Sequence, residues 1–496
     1  MIKKLRRIIQ IILLLVFLYL ILDIAERQGS DFFLKLSPLT GILTVLGTRD
    51  VVFEYLLPAI IVLVLSFLLG RFFCGWICPM GTTIDIFDRV VSPVPGKTCI
   101  THRWKYIIFI FLLILSLAGI SLAGLFDPLC IAQRSYALFI YPFINLIIRH
   151  VLDLLYYIPF IKAGEKDISE FLINLNIFTR KQTVYYGNIF TISVFLGILL
   201  LGLKNRRYWC RNICPLGAIL GISSYLSFYN RRVSDKCTVC HKCRIDCKMN
   251  AISDTCTGTL KHECIKCFNC AHLCPEKAIS FNLSKGNINE INERSSSAIV
   301  TRRDIIKGGA LGIIALPALK LDSSGKNHFF IRPPGSVKEE LFKNTCIRCG
   351  TCMKICPTNA IQPVLFEAGP ENLWTPRIIP RIGACSYECN LCGQVCPTNA
   401  IKYLLIEEKK ETKIGLACIN TGRCIPYTRD ENCMICEAVC PLPEKAIVAR
   451  KRIVKVNEFF QEIESPSVNP ELCTGCGICE NKCPVKGNAA IYITAI

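Results

Sequence analysis

Apolar residues gather in long uninterrupted runs over the first 230 positions, then give way to short, polar-punctuated stretches crowded with cysteine. Four runs, at 8–22, 56–70, 106–125 and 187–203, are each about long enough to cross a bilayer as a helix. Lys3, Lys4, Arg6 and Arg7 precede the first, Lys97, Arg103 and Lys105 precede the third, and Lys204, Arg206 and Arg207 follow the fourth. Basic flanks of this kind mark the cytoplasmic side, so the N-terminus is expected inside. A signal peptide competes for the first run, but no small-residue cleavage site follows it, and an anchor is the better reading. A fifth apolar stretch, 138–161, is interrupted by Arg149, His150 and Asp153. Each such charge costs about 2.5–3.5 kcal/mol at mid-bilayer, so this stretch is read as interfacial or re-entrant on the outer side. As a fifth span it would separate two cysteine motifs that four spans keep on one face.

Those motifs are Cys74-x3-Cys78-Pro79 and Cys210-x3-Cys214-Pro215. Cysteines four apart lie on one face of a helix, so the two pairs are expected to offer four thiolates to an additional redox or metal site. The competing reading is a boundary turn in which cysteine serves as a small apolar residue. Beyond the runs, Cys237, Cys240, Cys243 and Cys247 form a C-x2-C-x2-C-x3-C series, with Lys248 where proline is usual, and Cys264, Cys267, Cys270 and Cys274-Pro275 form a second. Four thiolates at this spacing match a [4Fe–4S] cube, and the fourth cysteine of each series ligates the other cluster of a pair. One cluster would then take Cys237, Cys240, Cys243 and Cys274, and the other Cys264, Cys267, Cys270 and Cys247. Cys237-Thr-Val-Cys240-His241 also matches a haem c attachment motif, but the longer series accounts for the same residues. No paired histidines for haem b appear on the apolar runs, so no haem is expected.

Four more series follow: Cys346, Cys349, Cys352, Cys356; Cys385, Cys389, Cys392, Cys396; Cys424, Cys433, Cys436, Cys440; and Cys473, Cys476, Cys479, Cys483. Each ends in Cys-Pro and a similar tail, CPTNAI at 356–361 and again at 396–401, CPLPEKAI at 440–447 and CPVKGNAAI at 483–491. The proline breaks the local helix and turns the chain away. This is an internal repeat of ferredoxin-like units. Zinc sites show separated C-x2-C pairs, and disulfides impose no such spacing. Cys418 competes with Cys424 as the loose member of the third series, and Cys424 is preferred. Six clusters would use 24 of the 32 cysteines, leaving the C-x3-C-P pairs and the singles Cys99, Cys130, Cys256 and Cys418.

Length and charge narrow the picture further. A chain of 496 residues exceeds one domain. A formal net charge of +20 could point to nucleic acid. However, each oxidised four-thiolate cluster carries roughly −2, and much of the remaining excess flanks the apolar runs. Nucleic acid is therefore not expected as a partner. No G-x-G-x-x-G after a strand, no P-loop and no flavin motif is present, which argues against hydride chemistry. The fold class read here is an α-helical membrane domain of about four spans plus a signal-like anchor, with α+β ferredoxin-like domains. Its parts are a membrane domain (1–232), a dicluster ferredoxin (233–285), a polar linker (286–300), a signal-like anchor (301–321) and a four-cluster ferredoxin (335–496). In the anchor, Thr301-Arg302-Arg303-Asp304-Ile305-Ile306-Lys307 and the apolar 308–319 resemble a twin-arginine export signal without a cleavage site.

Taken together, residues 1–285 resemble NapH-type membrane ferredoxins, and residues 301–496 resemble exported four-cluster ferredoxins of the NapG/MauM type. The resemblance implies a multi-pass inner-membrane protein with its middle ferredoxin cytoplasmic and its terminal ferredoxin outside. It implies electrons passed from the quinol pool, or a cytoplasmic donor, to a reductase or cytochrome on the outer face. By resemblance to four-cluster subunits, the first terminal series pairs with the fourth (Cys346, Cys349, Cys352 with Cys483; Cys473, Cys476, Cys479 with Cys356). The second then pairs with the third (Cys385, Cys389, Cys392 with Cys440; Cys424, Cys433, Cys436 with Cys396). Related C-x3-C-P proteins also imply an alternative role in assembly, metal handling or regulation of a respiratory complex. Catalytic residues are not assigned.

Overall fold

The computed structural model describes residues 2–22, 29, 31–50, 52–91, 103–156, 170–173, 183–283, 300–321, 330–456 and 459–496. Cys99 and most of the expected linker lie outside these residues. The N-terminal half is a helical bundle: α1 (Ile2–Leu22), α2 (Pro38–Thr48), α3 (Phe53–Leu69), α4 (Pro79–Val90), α5 (Trp104–Leu117), a composite α6, α7 (Asn188–Leu200) and α8 (Pro215–Ser224). Proline sits at the first turn of α2, α4 and α8, where its missing N–H costs nothing. By length and composition, Ile2–Leu22 and Pro128–Leu154 are long and apolar enough to cross a membrane. The other three predicted runs form shorter helices. The run at 106–125 does not remain helical, because Gly119 adopts φ 82° just past the end of α5 and the chain turns into Ala123–Phe126.

The bundle is apolar on its outside. α1 buries Arg6, Gln10, Phe17 and Ile21 while Ile8, Ile11, Ile12 and Leu15 are exposed. The stretch read as interfacial belongs to α6, which runs from Pro128–Ser135 through a π-helical turn at Tyr136–Ile140 into Tyr141–Tyr156. One face of α6 packs into the bundle through Leu129, Ala132 and Tyr136, and Arg134 and Leu138 of another face meet the terminal ferredoxin.

Two cysteine-rich units cap opposite ends of the bundle. The first begins earlier than expected. Tyr229–Val233 (β1) pairs antiparallel with Ile279–Leu283 (β2), so residues 229–232, assigned to the membrane domain, supply part of its closing sheet. Arg231 turns inward to donate to the Cys256 carbonyl. This unit sits where α5 begins: Glu263, fully buried, pairs with Arg71 at 3.0 Å and with Lys105. The second unit sits just past the other end of α5, where Ser121 N–H donates to Asn344 Oδ1 (3.1 Å) and Arg348 donates to the Ser121 carbonyl (2.6 Å). Fourteen helical residues separate these ends by about 21 Å. The α9 helix (Arg302–Leu321) runs alongside α5 in the same direction, Gly308 against Ile107 and Gly312 against Ile114. At its start Thr301 and Asp304 cap each other reciprocally, which gives the Thr-Arg-Arg-Asp segment a local structural role.

Candidate metal centres

In the first cysteine-rich unit, Cys237, Cys240, Cys243 and Cys274 line one recess, and Cys247, Cys264, Cys267 and Cys270 line a second. These are the two exchanged quartets that the spacing calls for. Backbone amides point at the sulfurs: Ala251 N–H donates to Cys247 Sγ and Ala278 N–H to Cys274 Sγ, both at 3.3 Å. Such donors suit thiolates. The lysine in place of proline after Cys247 has a partner, since Lys248 reaches Asp85 of α4 at 2.8 Å. Cys256, which sequence reasoning left as a single, also lines the first recess, with its Sγ 3.4 Å from His241 Nδ1. No motif spacing marks it.

The terminal unit corrects the expected pairing. Cys346, Cys349 and Cys352 are brought to Cys396, while Cys385, Cys389 and Cys392 are brought to Cys356. Cys424, Cys433 and Cys436 line one recess with Cys483, and Cys473 and Cys476 lie beside Cys440. First therefore pairs with second, and third with fourth. The reason lies in the closing strands. Ser336, before the first series, bridges to Ile401, after the second. Leu416–Ile419 (β5), before the third, pairs with Ile491–Thr494 (β8), after the fourth. Each pair is thus closed as β1 and β2 close the middle unit. Ile361–Pro363 (β3) pairs with Pro376–Ile378 (β4), and Ile447–Val456 (β6) with Phe459–Val468 (β7), as insertions between series. The structure places Cys424 in the quartet, whereas Cys418 lies in β5 with its Sγ 3.7 Å from Thr494 Oγ1.

The shared tails also acquire a purpose. Ile401 N–H donates to Cys396 Sγ and Ala490 N–H to Cys483 Sγ, both at 3.4 Å. Burial pushes the metal-free thiols of Cys247, Cys270 and Cys349 up to about 12, so ionising them calls for a bound cation. Among the described residues, no three of His, Cys, Asp or Glu stand close enough for a single metal ion. The donor chemistry of the quartets fits a multinuclear core instead.

The C-x3-C-P pairs differ from the single helical face expected for them. Cys74 lies in the short helix Phe73–Trp76, and Cys78 is the N-cap of α4 after a break at Ile77. Cys210 lies in Tyr208–Asn212, and Cys214 caps α8, accepting from Gly217 N–H at 3.4 Å. All four are buried together at the end of the bundle that meets the middle unit. Sequence reasoning missed Arg71 and Arg207, whose signal was the extended repeat R-x2-C-x3-C-P-x-G.

A 4Fe-4S binding domain family matches residues 51–98 and again 188–234, the two C-x3-C-P segments. A 4Fe-4S dicluster domain family matches 431–487, within the third and fourth series, and a further 4Fe-4S binding domain matches 340–362. The methylamine utilization ferredoxin-type protein MauM of Methylorubrum extorquens is 32% identical over 202 residues, 39% of this chain and 88% of that protein. The ferredoxin-type protein NapG of Escherichia coli K12 is 28% identical over 185 residues, 36% of this chain and 78% of its own. YccM of Escherichia coli K12, provisionally named as an electron transport protein, is 27% identical over 238 residues, 46% of this chain and 56% of its own. No solved structure matches.

Proposed function

The chain belongs to the MauM- and NapG-type ferredoxin proteins, and from that membership we propose that it conducts electrons across a membrane, from the quinol pool or a cytoplasmic donor to an acceptor protein outside. The observation that carries this is the placement of two cysteine-rich units at opposite ends of one helical bundle. Its exposed apolar helix faces, with Arg6 and Gln10 of α1 turned inward, favour a lipid surround. The α9 helix then carries the chain from the inner end to the outer one.

In this reading the 24 cysteines of the six series ligate six [4Fe–4S] clusters, which supply one-electron transfer when bound. The chain's own part is to bury the thiols, aim amide N–H groups at them and seat each unit against the bundle. The test is reduction of the anaerobically purified full-length protein by a membrane-soluble quinol, followed as bleaching of visible iron–sulfur absorption. Bleaching to a large fraction of the dithionite level supports the reading. No bleaching, with dithionite-reducible clusters intact, overturns the quinol donor. Protease attack on 330–496 only from the inner face of vesicles would overturn the outward path.

A further inference from the structure

The two R-x2-C-x3-C-P-x-G segments are folded onto each other with reciprocal contacts. Arg207 of the second donates to the Cys74 carbonyl of the first at 2.8 Å, and Arg71 of the first donates to the Cys210 carbonyl of the second at 3.0 Å. The glycines keep the crossing open. A Cβ on Gly217 would collide with the Arg71 guanidinium, and one on Gly81 would stand 2.9 Å from the Cys74 carbonyl. Each half thus contributes two cysteines to a common interior, with Cys74, Cys78, Cys210 and Cys214 only 3–8% exposed.

We propose that these four cysteines hold one iron–sulfur centre, shared between the two halves of the bundle, that exchanges a single electron with the neighbouring quartet of Cys247, Cys264, Cys267 and Cys270. The proposal rests on the reading of that quartet as a cluster site.

Charge supplies the second line of support. Arg6, Arg71, Lys105 and Arg207 are all at most 2% exposed, and the buried carboxylates facing them are Asp85 and Glu263. Lys248, paired with Asp85, and Asp88, which accepts from the Arg207 amide, add one charge of each sign. Arg211 and Lys266 lie toward Cys247 and Cys264 of the neighbouring quartet. Arg6 and Lys248 lie toward Cys267 of that quartet as well, so these buried cations, which outnumber the carboxylates, serve both cysteine groups. Uncompensated buried charge is strongly unfavourable. A tetrathiolate iron–sulfur centre carries roughly −2 when oxidised and would offset part of that excess. A single zinc would need its sulfurs about 3.8 Å apart, at Zn–S distances of about 2.3 Å, and among the described residues no group of three or more His, Cys, Asp or Glu is arranged to hold one metal ion.

The placement suits electron exchange. Cys247, Cys264 and Cys267 pack against the same core as the four cysteines, Gly75 lies directly under the Ile265 carbonyl, and Trp76 Nε1 donates to the Lys266 carbonyl at 3.0 Å. One electron leaves the reduced neighbouring cluster, oxidising it, and reduces the shared centre. No covalent bond to carbon forms or breaks.

Iron analysis of the anaerobically purified full chain tests this. Six four-iron clusters account for about 24 iron atoms, and the shared centre adds about two or four. Cys74→Ser and Cys210→Ser should each lose that increment, and the double variant should lose no more than either alone, because one site is shared. Cys78→Ser and Cys214→Ser should repeat the pattern. Additive losses, unchanged iron in variants that keep their visible absorption, or zinc in place of the increment would each overturn the proposal. So would, in the unaltered chain, about 24 iron atoms with all four thiols open to alkylation. The difference between parent and variants reads the shared centre, whereas the iron left in the variants reads the six-cluster assignment, so the two fail separately.

Discussion

Glu263→Gln isolates the ion network that seats the middle unit on the bundle. Glu263 is fully buried, 3.0 Å from Arg71 and in contact with Lys105, both fully buried themselves. At 3.0 Å and an effective dielectric of about 20, one such attraction is worth roughly 5–6 kcal/mol before desolvation. Breaking a buried pair from one side typically costs about 3–5 kcal/mol, because the partner charge is left uncompensated. At about 1.4 kcal/mol per decade, that is a hundred- to several-thousand-fold shift toward the open state of this segment. Hydrogen exchange reads it at the Cys264 amide, bonded to the Leu260 carbonyl at 3.1 Å, and at the Leu260 amide, bonded to the Ala251 carbonyl at 2.8 Å. Adding Lys105→Met removes one orphaned cation and should recover part of the protection. A fall of less than about threefold, with visible absorption retained, would refute the idea that this carboxylate holds the unit in place.

Three further outcomes are expected. Cys424→Ser should lose about four iron atoms, or convert that cluster to a three-iron form, whereas Cys418→Ser should leave iron unchanged; iron analysis and electron paramagnetic resonance distinguish the two. Gly124→Ala places a methyl group against the Ile347 carbonyl, which should loosen the terminal unit by roughly 1–3 kcal/mol; faster amide exchange at 346–352 would show it. Burial pushes the Asp127 carboxyl up to about 6 from its ordinary 3.8. Because the folded form holds its proton longer than the unfolded chain, its stabilising contribution is fully present below about pH 4 and is lost as pH rises through 6. Infrared difference spectra between pH 5 and pH 7.5 should show a protonated carboxyl component that Asp127→Asn lacks.

Much of the site was legible because its chemistry is local. Closely spaced cysteines, most series ending in Cys-Pro, can be recognised without knowing how distant parts meet. The swapped quartets of the middle unit are the simple case, since only two series lie between its closing strands β1 and β2. The terminal pairing did not follow. Four similar series permit several exchanges of their last cysteine, and the closing contacts of Ser336 with Ile401 and of β5 with β8 select among them. Likewise, Tyr229 read as part of the membrane domain because a five-residue antiparallel strand draws its identity from its partner.

Local series spacing, apolar runs and basic flanks were enough to define a helical part joined to ferredoxin-like units, because each depends on residues close along the chain. Tertiary structure alone decided that α6 lies between bundle and ferredoxin, that Lys248 answers Asp85 across 163 positions of sequence, and that two distant C-x3-C-P segments share one interior. Those outcomes depend on buried charges and carbonyls finding partners from far along the chain. The cost of leaving such groups unpaired acts only once the chain has closed around them.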